Sequence, residues 1–115
     1  MLVLAMASDA PTTQTEYAHI VRTPGVLSGE PRIDGHRIRV RDIVAARDFG
    51  GFSPEEIAAS VYPGINLAQI YAAWAYYEDH RNEIDAAVKR EELLADEFRK
   101  RHPHLSRDHR SGEEQ

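Results

Sequence analysis

The side chains whose spacing could carry chemistry are five closely spaced arginines, three of which alternate with the apolar residues Ile38 and Val40. Guanidinium groups bind phosphates well, and each phosphate contact adds to a salt-dependent affinity for nucleic acid. The spacing therefore indicates a phosphate-binding face, although the arginines could instead pair with Asp34, Asp42 and Asp48 on a solvated face. The predicted nucleic-acid-binding arginines are Arg32, Arg37, Arg39, Arg41 and Arg47.

Gln69 is a further candidate for base contact, because a glutamine side chain can form two hydrogen bonds with adenine. It lies in a predicted helix that carries no basic residue and ends in Glu78-Asp79, which would repel a DNA backbone. We therefore expect this helix mainly to pack or to dimerise. The arginine-edged segment is the more favourable nucleic-acid surface.

The remaining reactive side chains form no catalytic or metal-binding pattern. The sequence has no cysteine, which excludes a disulfide scaffold, a thiol nucleophile and a cysteine zinc site. His102 and His104, with one residue between them, could bind a metal weakly, but no cysteine lies nearby and the acidic residues have no regular spacing. No Ser-His-Asp arrangement and no glycine-rich phosphate loop is present. We expect neither an enzyme nor a bound cofactor or metal.

The length and the net charge of the chain limit the number of domains and the class of protein. The chain has 115 residues and a net charge of −5, which fits one domain with tails rather than a uniformly basic nucleic-acid binder. The apolar start, residues 1–7, lacks the basic residues of a secretory signal, and we interpret it as part of a disordered leader. No segment approaches the length of a membrane span, so we expect a cytoplasmic protein.

The pattern of turn residues and apolar residues predicts four segments. A disordered leader covers residues 1–16, a domain covers 17–80, an amphipathic helix covers 81–101, and a disordered tail covers 102–115. Within the domain, Asp34-Gly35 stands between two β-like runs, which predicts a hairpin. The hairpin would present the arginines on one face.

Three helices are expected to follow the hairpin. The first covers about residues 41–49 and ends at a pair of glycines. The second starts at Ser53, whose spacing to Glu56 is that of a capping box, and the third starts at Asn66 with the same spacing to Gln69. Two capped helices joined by a turn that contains glycine predict a helix-turn-helix-like domain.

Aromatic and apolar residues of the last two helices predict protein contacts. Tyr71 and Trp74 have the spacing of core residues. Tyr76 and Tyr77 are predicted to line a homodimer or partner interface, and Trp74 is a further candidate for that interface. The final helix has one narrow apolar seam on a charged body. That seam could pack on its own domain, on a second copy or on a partner protein. The predicted seam residues are Ile84, Val88, Leu94 and Phe98.

Three stretches resemble the bacterial domain-of-unknown-function family 433. They are TPGVLSGEPRIDGHRIRV at residues 23–40, GFSPEEI at 51–57 and YPGI at 62–65. The resemblance covers about residues 17–80. His36 replaces the threonine usual in the family pattern, and Arg39 stands where proline is frequent, so both differences add polarity to the hairpin.

The resemblance implies a homeodomain-like helical domain, and together with the residue patterns it predicts a mainly α fold with a small N-terminal β-hairpin and a long C-terminal helix. Some family members resemble antitoxins of VapBC-type toxin–antitoxin pairs, which accompany a PIN-like ribonuclease toxin. The resemblance therefore implies a dimer that binds operator DNA and neutralises this toxin. The alternative is a protein-interaction module that does not bind DNA.

Overall fold

The computed structural model describes residues 11–105. The chain divides into two compact units, one ending at Arg81 and the other beginning at Asn82. The predicted disordered segments fall largely at positions 1–10 and 106–115, which lie outside the described residues. The fold class is confirmed, because a small antiparallel sheet precedes a set of helices, the last of which is long.

Three short strands form the sheet: β1 is Thr13–Gln14, β2 is Ile20–Arg22 and β3 is Arg32–Ile33. The order is β1-β2-β3 and both pairs are antiparallel, with Thr13 opposite Arg22 and Ile20 opposite Ile33. Because β1 already pairs with β2, the prediction of a disordered leader is wrong at residues 13–14.

The predicted hairpin turn forms, but its second strand does not. Gly35 has a φ of +82°, as the turn requires, and the Ile33 N–H donates to the Ile38 carbonyl at 2.9 Å. Beyond the turn only one isolated bridge joins Arg32 to Arg39. The partner of β3 is instead β2, so the segment after the turn is free to lead directly into a helix.

The first helix, α1, covers Val40–Asp48, within one residue of the predicted helix. Its inner residues Val40, Ile43 and Val44 are buried. The Arg39 backbone N–H donates to Asp42 Oδ2 at 2.9 Å, which satisfies a donor at the helix start.

Both predicted capping boxes are confirmed. Helix α2, Pro54–Glu56, continues as a π-helical turn over Ile57–Val61, and helix α3 covers Leu67–Asp79. At α2 the Glu56 N–H donates to Ser53 Oγ at 3.1 Å and Glu56 accepts from the Ser53 N–H at 2.8 Å. These reciprocal bonds fix where each helix starts.

The core of the first unit lies between the sheet, α1, the π-helical turn and α3. Helix α3 packs against α1 and also contacts β2, β3 and α2. It is therefore buried on more than one side. The most deeply buried side chains, each at most 1 % exposed, are Ile20, Ile33, Val40, Ile43, Ile57, Ile70, Ala73 and Tyr76.

The second unit consists of most of helix α4, which covers Arg81–Arg101, and of residues 103–105, which are also helical. The predicted range of this helix, 81–101, is confirmed. Residues 103–105 belong to the segment predicted as a disordered tail, so that prediction is wrong there. Among the helices of residues 11–105, none has the length and apolar content to span a membrane.

Candidate protein-binding surfaces

Two of the five predicted phosphate-binding arginines are engaged in a carboxylate network. Arg41 Nε donates to Glu30 at 2.9 Å, and Arg39 donates to both carboxylate oxygens of Asp42, at 3.1 and 3.0 Å. Arg39 also lies 3.9 Å from Glu30. The bonds to Asp42 raise the pKa of Arg39 above its usual value. The network ties the segment before β3 to the start of α1.

Arg32 and Arg47 also have internal roles. Arg32 donates to the His36 carbonyl at 3.0 Å and to the Thr23 hydroxyl at 2.8 Å, bonds that hold the hairpin turn against β2. Arg47 donates to Asp48 at 2.8 Å and its guanidinium lies 4.9 Å from the centroid of the Trp74 ring. Both arginines therefore contact other groups of the folded chain.

Arg37 differs from the other four arginines. It is exposed, and the structure gives it no hydrogen bond or ion pair with any residue from 11 to 105. The predicted row of guanidinium groups on one strand face is therefore wrong, because Arg39 turns towards Asp42 and Arg41 lies within α1. A single accessible arginine is left at the hairpin turn.

Gln69 is held by the helix cap rather than presented for base contact. Its side-chain oxygen accepts from the Asn66 N–H at 2.7 Å, and its own N–H donates to Asn66 Oδ1 at 2.9 Å. Base contact by the amide would require this cap to open, with a loss of about 1 kcal/mol of helix stability.

Tyr76 and Tyr77 are core residues, contrary to the prediction that they line an interface. Tyr76 is 1 % exposed and Tyr77 is 6 % exposed. The Tyr76 hydroxyl accepts from Arg22 at 2.6 Å, and its ring stacks on His80 with centroids 4.0 Å apart. Tyr17 packs edge-on against the same ring. Contacts within the chain account for both tyrosines.

The exposed aromatic residues of α3 lie on another side of the helix. Tyr71, predicted to be core, is 51 % exposed. It packs edge-on against Trp74, with centroids 5.6 Å apart, and Trp74 Nε1 donates to the Ile43 carbonyl at 3.3 Å. We call the surface made by Arg47, Leu67, Tyr71 and Trp74 the aromatic face. Trp74 is half-buried against α1, and its predicted role in an interface stays a prediction.

The predicted seam of α4 is exposed towards its C-terminal end. Ile84 is buried and Val88 half-buried, whereas Leu94 is 63 % and Phe98 55 % exposed. At 3.6 residues per turn Leu94 and Phe98 lie one above the other, while Leu93, 54 % exposed, points to the other side. The exposed seam is therefore a narrow apolar strip of Leu94 and Phe98 on a charged helix.

Ion pairs stabilise α4, and the Phe98 ring packs against His102 with centroids 4.4 Å apart. Arg99 pairs with Asp96 three residues before it, and Arg101 lies 4.0 Å from Glu97. Pairs at these spacings stabilise helices modestly.

The described residues contain no group of three or more histidine or acidic side chains placed to hold a metal.

Sequence reasoning missed the exposure of Leu67, Tyr71 and Phe49. Phe49 is 90 % exposed at the end of α1, next to a glycine pair that had indicated only a helix end. A hydrophobic residue placed at a helix terminus gives no periodic pattern from which exposure can be inferred. The signal that was available is the number of aromatic residues in α3, which exceeds what one side of a helix can bury.

Comparison with known proteins identifies relatives of the domain. Residues 20–77 match the family model described as a protein of unknown function, DUF433. The chain is also similar to the crystal structure of a DUF433 member protein from Anabaena variabilis, with 33 % identity, a TM-score of 0.56 and 76 % of each chain covered. No curated protein matches the sequence.

Proposed function

The chain belongs to the DUF433 family, whose function is unknown, and we propose that it is an antitoxin-like protein-binding module. In this proposal the exposed seam of α4 binds a PIN-like ribonuclease and neutralises it. The observation that carries the proposal is the pair Leu94 and Phe98, which lie on one strip of α4 and are both more than half exposed among mostly charged neighbours. Apolar anchors on such a helix suit a hydrophobic groove on another protein.

Protein binding has more support than DNA binding because of how the arginines are used. Arg39 and Arg41 are held by Asp42 and Glu30, so a phosphate would have to displace a carboxylate from each. Specific DNA binders commonly make several phosphate contacts, and of the five predicted arginines only Arg37 is exposed with no bond to residues 11–105. Operator DNA binding stays a prediction, which retardation of the gene's upstream DNA by the wild type and Arg37→Ala would test.

Co-expression with the ribonuclease tests the proposed activity. We expect the full chain to restore growth to cells that express the PIN-like ribonuclease from the neighbouring gene, and to co-purify with it. The reason is that the seam occupies a groove on the enzyme. Continued growth arrest at matched expression, or the absence of a ribonuclease gene beside this one, would count against the proposal.

The aromatic face is the surface that we propose for homodimerisation. It combines a tryptophan, a tyrosine and an arginine, the residue types that dominate interface energetics. A domain of this size also gains stability from association. This interface does not use Tyr76 or Tyr77, which are buried in the chain's own core.

Tyr71→Glu tests this dimer. We expect the substitution to weaken self-association at least about tenfold, because it places a charge beside the Trp74 ring in a desolvated contact. Sedimentation of the full chain over a concentration series measures the effect. Tyr71→Phe keeps the ring and should retain the dimer. A wild-type chain that is monomeric throughout, or a Tyr71→Glu variant that dimerises normally, would rule out this interface.

A further inference from the structure

The C-terminal half of α4 carries more than the apolar seam, because a charged residue lies at each end of it. These residues follow one another at intervals of three, four and three, which keeps them on one side of the helix, as in coiled coils. All of them are exposed. We define the pairing face as these four residues: Glu91, Leu94, Phe98 and Arg101. The face is acidic at one end, apolar in the middle and basic at the other end.

The order of these residues is complementary to itself when a second copy of α4 runs in the opposite direction. If Leu94 of one helix lies opposite Phe98 of the other, two-fold symmetry repeats that contact with the roles exchanged. Three residues further out in each helix, Arg101 lies opposite Glu91, again twice. Every apolar residue of the face then meets an apolar residue, and every charge meets the opposite charge.

A parallel arrangement of the same two helices has the opposite electrostatic result. Each residue of the pairing face would lie opposite its own counterpart, so Glu91 would face a second Glu91 and Arg101 a second Arg101. Like charges held opposite each other repel, and unlike charges attract. The charge pattern of the face therefore selects the antiparallel arrangement.

The charged ends of the pairing face can contact a second copy without giving up their contacts within the chain. The Arg101 side chain is 75 % exposed and lies 4.0 Å from Glu97, which is longer than a hydrogen bond. Glu91 is exposed and interacts with another group of its own chain. Because a carboxylate accepts hydrogen bonds on both oxygens, that interaction is compatible with an arginine from the other copy.

We propose that the pairing face binds the pairing face of a second copy, with the two α4 helices antiparallel. Two apolar layers and two exposed ion pairs make a small contact, so we expect a Kd of about 0.1–1 mM. The contact uses residues of the exposed seam, so a chain whose seam binds the ribonuclease cannot form it. It needs no ribonuclease, however, and it is separate from the aromatic face.

Charge reversal in the full chain tests the direction of the helices. The parent is the Tyr71→Glu variant, which removes the contact proposed for the aromatic face. We expect Glu91→Arg or Arg101→Glu to weaken self-association about fivefold or more, because each turns two attractive pairs into repulsive ones. The two reversals combined exchange the charges, and should restore association to within about threefold of the parent. Sedimentation up to about 1 mM chain measures these changes.

Crosslinking locates the contact independently of charge. The sequence has no cysteine, so one introduced thiol reports one position. Ala95 lies beside the two-fold axis, which passes between Leu94 and Phe98, and we expect Ala95→Cys in the same parent to crosslink to its own copy through a short bismaleimide. Ala86→Cys is the matched control, since Ala86 is also exposed but lies on the opposite side of α4.

Two results would overturn the proposal. Equal crosslinking of Ala95→Cys and Ala86→Cys, or none by either variant at about 1 mM chain, would show that the pairing face does not bind a second copy. Single charge reversals that associate like the parent, or a double reversal as weak as the single ones, would contradict the antiparallel arrangement. Circular dichroism of each variant checks that α4 remains helical.

Discussion

Leu94→Glu together with Phe98→Glu is expected to weaken binding of the ribonuclease by about 100-fold or more. Both side chains are more than half exposed and lie on the same strip of α4. If they enter a groove on the partner, each glutamate would be buried without a compensating charge. Calorimetric titration of the enzyme with the full chain measures this loss.

Leu93→Glu is the matched control for these substitutions. Leu93 is exposed to a similar degree and is replaced in the same way, but it lies about 100° around the helix from Leu94. We expect its affinity for the ribonuclease to stay within about threefold of the wild type. Equal losses on both sides of the helix would indicate a general effect of charge rather than a seam.

Tyr76→Ala is expected to remove a large part of the stability of the first unit. The side chain is 1 % exposed, contacts Tyr17 and His80, and accepts a hydrogen bond from Arg22. Truncation of a buried aromatic residue costs about 3–5 kcal/mol, which is a large part of the roughly 5–15 kcal/mol available to a domain. Urea denaturation followed by circular dichroism measures the change.

Tyr76→Phe separates the ring from the hydroxyl group. It keeps the packing and removes only the acceptor of Arg22, so we expect a loss of about 1–2 kcal/mol. If Tyr76 formed an interface between chains, Tyr76→Ala would change the association constant and leave the unfolding of the monomer nearly unchanged. That outcome would contradict its place in the core.

The helix starts could be predicted from sequence because their chemistry is local. Ser53 with Glu56 and Asn66 with Gln69 satisfy each other's backbone donors within four residues, so no distant contact decides their arrangement. The buried residues of α1 could likewise be predicted, from the helical spacing of its apolar residues. The family match likewise depends on turn residues whose order is visible in the sequence.

The use of the arginines could not be predicted in the same way. Arg41 is paired with Glu30, eleven residues before it, across β3 and the hairpin turn. No periodic pattern reports such a pairing. The sequence pattern also predicted Arg39 on a strand. In the structure β3 pairs with β2 instead, and Arg39 is the residue that caps the start of α1.

The faces of α3 could not be assigned because the helix has several neighbours. It contacts α1, α2 and two strands, so more than one of its sides is buried. The spacing of Tyr71 and Trp74 is as helical as that of Tyr76, and only the position of the sheet decides which ring is covered. Tertiary contact therefore reversed the predicted roles of Tyr71 and Tyr76.

Amide hydrogen exchange of the full chain, with and without the ribonuclease, tests the central claim most directly. We expect the enzyme to slow exchange in residues 88–101, around the exposed seam, and to leave the hairpin at residues 32–41 unchanged. Slower exchange confined to residues 32–41, or no change anywhere in α4, would contradict the assignment of α4 as the partner-binding helix.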